Sequence, residues 1–272
     1  MRKFIIRFCN FIKRTLETHP VYLDIKFSMP NSSLKDVKCV VTGGAKGIGL
    51  AISKKITESG GNVIITGRDE KALISTQKSL GPNCKYIVFD FTDFKKYDLF
   101  IRQVKDLMPD VNSMVFNAGI SLHETSFEDV TFNSSDKQLA TNLKANYFLA
   151  QYYIKEFKKG NLIFVSSETA DMKCLLPYGL TKSAINSFVA ALSCKYYRQG
   201  LRVNAVAPGV TITNMVKNPN VDSDNYYCNN MSGRYFLPEE VAETVSFLLS
   251  DVSKSISGEV IHTNAGNHYR PQ

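Results

Sequence analysis

The sequence contains no CxxC pair, and its six cysteines, Cys9, Cys39, Cys84, Cys174, Cys194 and Cys228, are widely scattered. Without a secretory context this spacing supports neither a zinc ribbon nor a disulfide framework and points to a reducing compartment. Histidine is scarce, with four residues at 19, 123, 262 and 268, none of them three to five positions from another as helical metal ligands would be. Metal catalysis is therefore not expected. Long apolar runs are missing from the first residues, MRKFIIRFCNFIKRTLE, whose longest unbroken stretch is Phe4-Ile5-Ile6. That is too short for a signal-peptide core or a membrane span, so a cytoplasmic protein is expected. Internal repeats, low-complexity tracts and a second composition regime are also absent.

What is present is a chain of 272 residues, 44% of them apolar, enough for one large domain with a sizeable core. The formal charge is +8, but residues 1–40 hold eight Lys/Arg against three Asp/Glu, so most of the excess sits in that short segment. The remaining body is electrostatically ordinary, which argues against nucleic acid as a partner. At 100° per residue, Phe4, Ile5, Phe8, Phe11, Ile12 and Leu16 share one face of a helix while Lys3, Arg7, Lys13 and Arg14 lie opposite. This basic amphipathic stretch, 2–16, fits either an anionic membrane surface or an extension packed on its own domain or a sister subunit; the second is favoured.

After the turn-forming stretch 28–33, apolar runs alternate with helical patterns. Strands are expected at 37–42, 62–66, 86–89, 113–117, 162–166, 202–207 and 259–262, with helices between most of them. Such alternation implies a parallel sheet of about seven strands with helices on both faces, a doubly wound α/β domain over 34–272 preceded by an extension over 1–33. The first strand runs into Thr42-Gly43-Gly44-Ala45-Lys46-Gly47-Ile48-Gly49 and then a helical pattern. A tight turn lacking β-carbons brings backbone N–H groups and a helix N-terminus close to a pyrophosphate. A nucleoside-triphosphate loop is disfavoured, because Leu50 and Ala51 stand where Lys and Ser/Thr would follow.

With its T-G-x3-G-x-G turn the sequence resembles the short-chain dehydrogenase/reductase family, in its compact branch. The resemblance continues through Asp90, Asn117-Ala118-Gly119, Asn142, Ser166-Ser167, Tyr178-Gly-Leu-Thr-Lys182 and Pro208-Gly209-Val210-Thr211-Ile212-Thr213, spanning residues 37 to about 266. It implies a Rossmann fold and a nicotinamide cofactor held by Gly43, Gly47, Ile48 and Gly49, by Asp90 and the adjoining Phe91, by Asn117, Ala118 and Gly119, and by Pro208, Gly209, Val210 and Thr213. Family members usually associate as dimers or tetramers, which makes 139–157 and 183–197 candidate interface helices of a homodimer or homotetramer.

Tyr178 and Lys182 are four apart in an expected helix and so share a face. A neighbouring ammonium favours phenolate and is expected to draw the Tyr178 pKa towards neutrality, giving a group that moves a proton at cellular pH. The resemblance adds that Lys182 also holds the nicotinamide ribose, that a serine hydroxyl holds the substrate oxygen, and that Asn142 anchors a proton-relaying water. The family's serine stands thirteen residues before the tyrosine, a position here taken by Val165. A two-residue deletion in the ETADMKCLLP loop then makes Ser167 the candidate, with Ser166 its alternative.

Cofactor choice follows charge. A carboxylate at the end of the second strand ordinarily holds a ribose 2'-OH, whereas a 2'-phosphate needs cations there. The family's acidic position is Gly67, Arg68 follows it, and Lys46 lies in the turn, so NADPH is expected over NADH. Asp69 is expected to cap the next helix, although turned inward it would oppose a phosphate. The polar stretch 214–236 reads as a substrate lid. His123 and Glu168 face either the pocket or solvent, and Asn264-Ala265-Gly266 replaces the family's D-G-G. The expected partner is a small carbonyl compound or its secondary alcohol, with a 3-oxoacyl thioester and a keto-sugar or polyol both open. Rival readings are a nucleotide-sensing scaffold without turnover and a reductase attached to a membrane surface.

Overall fold

The computed structural model describes residues 34–216 and 231–269. The expected extension over 1–33, its amphipathic stretch 2–16 and most of the expected lid therefore lie outside the described residues.

Seven strands form one parallel sheet: β1 (Lys38–Thr42), β2 (Asn62–Gly67), β3 (Cys84–Val88), β4 (Ser113–Phe116), β5 (Gly160–Val165), β6 (Leu201–Pro208) and β7 (Val260–Thr263), in the order β3-β2-β1-β4-β5-β6-β7. Both faces of the central strands are apolar, because helices cover both. Alternation along β1 shows this directly. Val40 joins one core with Ile64, Met114 and Phe164, whereas Cys39 and Val41 join the opposite one with Val63, Ile65 and Val115. The helices are α1 (Gly47–Glu58), α2 (Glu70–Leu80), α3 (Tyr97–Leu107), α4 (Phe132–Gln138), α5 (Ala145–Phe157), α6 (Pro177–Tyr196) and α7 (Pro238–Leu249). Among the described residues, no helix is long and apolar enough to cross a membrane.

Strand β3 begins two residues earlier than its apolar run suggests. It is an edge strand on which the exposed Lys85 breaks the apolar run, while Cys84 before it is buried and pairs with Val63. The expected long helix over 139–157 is two segments, a π-helical turn and α5, with α4 running into them. Helix α4 is capped by Thr131, a π-helical turn occupies Leu139–Lys144, and α5 continues. Such a wide turn commonly marks a functional position, and this one carries Asn142.

Connections leave β1 and β4 in opposite directions, and these adjacent strands pair in parallel. Their C-terminal ends therefore border the crevice in which doubly wound sheets bind ligands.

Candidate active site

Two turns meet at that crevice. Thr42, fully buried at the end of β1, accepts hydrogen bonds through Oγ1 from the backbone N–H groups of Asn117 and Ala118, both at 2.9 Å. Asn117 returns the tie, its Nδ2 donating to the Thr42 carbonyl at 2.9 Å and the Gly43 carbonyl at 3.3 Å. The sequence marked Asn117 but not the Thr42 hydroxyl, whose only signal is its place before the first glycine.

In the glycine turn, Gly47 has φ +53°, a left-handed value that a side chain disfavours. It also packs against Thr213, whose methyl group would lie 3.0 Å from a Cβ there, so the turn and the loop after β6 approach closely. Helix α1 has no side chain capping its N-terminus and no acidic residue in its first turn. Its N–H groups therefore remain available to an anion, and the turn fits a pyrophosphate.

The crevice opens on both sides of this turn. On one side a cavity of about 740 Å³ is walled by Arg68, Asp69, Asp90 and Phe91. Arg68 is exposed, with no hydrogen bond to any described residue. Asp69 caps α2 by accepting from the Ala72 N–H at 3.1 Å, as expected, and also takes Lys46 into an ion pair at 2.7 Å. Asp90 turns back on its own loop, accepting from the Thr92 N–H and hydroxyl.

On the other side a cavity of about 540 Å³ is lined by Ser167, Tyr178 and Lys182, by Asn117, Ala118 and Gly119, and by Pro208, Gly209, Val210 and Thr213. His123 and Glu168 line it too. Both cavities share Gly43, Lys46, Ala118 and Gly119, so they form one groove around the turn.

The serines separate cleanly. Ser166 Oγ donates to Asn186 Oδ1 at 2.6 Å and so braces α6. Ser167 interacts with the Tyr178 phenol and accepts from the Thr169 N–H and hydroxyl at 3.3 and 3.0 Å, which leaves its own O–H to donate. Lys182 is buried, its Nζ donating to the Val165 carbonyl at 2.7 Å and lying 5.7 Å from the Tyr178 ring centre. Burial pushes Lys182 down to about 8. Tyr178 departs from the expected direction. Burial raises its pKa, the Ser167 hydroxyl opposes that, and the Glu168 charge adds to it. Desolvation of the phenolate outweighs the nearby cation, and the phenol stays protonated at neutral pH.

Asn142 is fully buried, its side chain accepting from the Ile120 N–H and donating to the Ile120 carbonyl, both at 2.8 Å, and to Thr181 Oγ1 at 3.4 Å. The loop after β6 is held by the segment before α7, where the Phe236 N–H donates to the Val210 carbonyl at 3.0 Å. The same ring packs where Gly209 lacks a Cβ, at 2.7 Å.

The short chain dehydrogenase family model matches residues 38–224 of this chain. Acetoacetyl-CoA reductase of Synechocystis is 32% identical over 247 residues, 88% of this chain and all of that protein. Gluconate 5-dehydrogenase of Gluconobacter oxydans is 28% identical over 246 residues, 86% of this chain and 95% of that one. Among solved structures, 3-ketoacyl-(acyl-carrier-protein) reductase from Brucella melitensis complexed with NADH superposes with a TM-score of 0.80 at 22% identity, covering 87% of this chain and 100% of that one.

Proposed function

The chain belongs to the short chain dehydrogenase family and is an NAD(P)-dependent oxidoreductase, and on that premise we propose that it interconverts a ketone and its secondary alcohol with NADPH preferred. The observation that carries this reading is the convergence of Ser167, Tyr178 and Lys182 on the groove that the glycine turn opens into. When bound, the nicotinamide supplies a hydride to the carbonyl carbon. Tyr178 gives its hydroxyl proton to the carbonyl oxygen as that carbon is reduced, and is reprotonated from solvent. Ser167 donates a hydrogen bond to the same oxygen. Lys182 supplies positive charge beside the phenolate that Tyr178 becomes. Asn142 acts through the scaffold by fixing the segment after β4.

A panel of carbonyl compounds that includes 3-oxoacyl thioesters and keto-sugars, followed by loss of NADPH absorbance, tests the reading. No ketone-dependent loss would overturn it. The two relatives' names support both substrate classes as starting points.

Protonation gives the pH dependence a sign. Reduction needs the phenol protonated and oxidation needs it ionised, while Lys182 loses its charge above about 8. The reductive kcat/KM is therefore expected to fall as pH rises through about 8, whereas the oxidative kcat/KM should rise only at higher pH, where the phenol, its pKa raised by burial, ionises; one buffer series measures both. Parallel profiles would contradict the assignment of Tyr178.

Arg68 and the absence of a carboxylate at Gly67 support NADPH over NADH; Lys46 contributes less, since Asp69 holds it. Arg68→Ala is expected to weaken NADPH binding about tenfold to a hundredfold, the range for a charge-assisted contact, and to leave NADH binding unchanged. Equal losses for the two cofactors would contradict this.

A homodimer or homotetramer through 139–157 and 183–197 belongs to the same reading. Tyr147, nearly half exposed, stacks on Phe188 at 4.9 Å across those helices and offers an aromatic surface to a second copy. Four cysteines stand as free thiols among the described residues, which supports a cytoplasmic setting.

A further inference from the structure

We propose that Glu168 determines the substrate class by accepting a hydrogen bond from a hydroxyl on the carbon next to the reacting carbonyl, which makes the substrate an α-hydroxy ketone and its product a vicinal diol. The inference rests on the oxidoreductase reading above and goes beyond it in choosing the keto-sugar and polyol class over the 3-oxoacyl thioester.

Three observations carry it. Glu168 follows Ser167 directly, is only 5% exposed, and nevertheless forms part of the wall of the substrate-side cavity. A carboxyl group so deeply set needs partners, and it has them on one oxygen only. Oε2 accepts from Asn264 Nδ2 at 3.2 Å and from Asn267 Nδ2 at 3.1 Å. Oε1 receives no hydrogen bond from any described residue, and it is not among the partnerless polar atoms sealed inside the described core. One oxygen is anchored and the other is left for a ligand donor in the cavity that Glu168 lines.

The anchor is itself held. The Asn264 side chain meets His268 Nδ1 at 2.9 to 3.1 Å and accepts from the Gly266 N–H at 3.1 Å, and the His268 ring stacks on His262 at 3.7 Å. His262 in turn bonds Asp171 at 2.7 Å, three residues beyond Glu168. The network closes a ring between the catalytic loop and the end of β7 and fixes the carboxylate in place before any ligand arrives. A fixed acceptor favours a ligand donor and repels a ligand carboxylate. Part of the wall has the same character, since Ser121, His123, Thr169 and Asn214 offer hydroxyl, imidazole and amide groups beside the apolar Val165, Val210 and Met215. Tyr178, which protonates the substrate, lines the same cavity as Glu168.

The test compares 2-hydroxycyclohexanone with 2-fluorocyclohexanone. Both carry an electron-withdrawing substituent beside the carbonyl, and only the first has a proton to donate. With the full-length protein and saturating NADPH, kcat/KM for the hydroxy ketone is expected to exceed that for the fluoro ketone about tenfold to a hundredfold, the range for a hydrogen bond to a charged group. Glu168→Gln keeps the side-chain shape and removes the charge, and it should reduce that ratio by about tenfold while NADPH still binds. The ratio cancels any effect on Tyr178, because both ketones use the same proton donor. Acetoacetyl-CoA should fall behind the hydroxy ketone in the parent protein. Turnover of both cyclohexanones at equal kcat/KM, or a ratio unchanged in Glu168→Gln, would overturn the inference and leave the oxidoreductase reading intact. Failure of every ketone to consume NADPH would remove that reading and the inference with it.

Discussion

Replacing Tyr178 by Phe is expected to cut turnover by about a hundredfold to ten-thousandfold, the usual contribution of a positioned general acid. Affinity for NADPH should stay within about twofold, because a conserved ring shape leaves the groove around the glycine turn intact. The fold should survive as well. The lost hydroxyl has Ser167 as its side-chain partner, and a single neutral hydrogen bond contributes about 1 kcal/mol. The variant thus separates chemistry from binding. Steady-state kcat beside a NADPH fluorescence titration reads both quantities. Turnover close to that of the parent would mean that another group delivers the proton, with Ser167, His123 and Lys182 among the side chains on the cavity wall.

Gly49→Ala acts on the other half of the site and should be strongly damaging. A Cβ at residue 49 would overlap the Gly43 carbonyl oxygen and lie 2.5 Å from Asn117 Nδ2. Neither neighbour can swing aside. Gly43 belongs to the turn backbone, and Asn117 Nδ2 is the atom that ties that turn to the end of β4. Overpacking of this kind costs about 1–3 kcal/mol or more, which for a domain of this size lowers Tm by roughly 5–10 °C. NADPH binding should weaken by more than about tenfold in the same variant, because the turn must open to admit the methyl group. Gly67→Ala is the control for stability, since the nearest atom to its Cβ would be Leu73 Cδ2 at 4.0 Å, and its Tm should match the parent's. Equal melting of all three proteins would contradict the close approach of α1 to the turn.

The fold was legible because a parallel sheet covered on both faces writes its strands as unbroken apolar runs. All seven strands lie where such runs occur; two start two residues early, β5 at Gly160 and β3 at Cys84, the latter an edge strand whose exposed Lys85 breaks the run. The glycine turn and the Tyr178–Lys182 pair were legible for a similar reason, since local spacing alone puts them in register. What spacing could not carry is contact between distant segments. Glu168 meets Asn264 and Asn267 across 96 and 99 residues, and nothing local to ETADMKC announces that its carboxylate is buried rather than solvated. Ser166 and Ser167 illustrate a finer ambiguity. Adjacent residues at the end of a strand point to opposite sides, and only the partner Asn186 reveals which one turns into α6. The direction of the Tyr178 pKa was misjudged because a sequence displays the charge of Lys182 but not the depth at which both groups sit. Lys46 likewise reads as a free cation until its ion pair with Asp69 is seen.

Hydride delivery to a ketone carbon in the groove beside Tyr178 is the claim on which the other roles depend. Mass spectrometry of the alcohol formed from 2-hydroxycyclohexanone, with NADPH deuterated in turn on each face of nicotinamide C4, measures it directly. One of the two labelled cofactors should place a single deuterium on the new carbinol carbon and the other none. An alcohol without label from either cofactor, or no alcohol at all, would contradict the account.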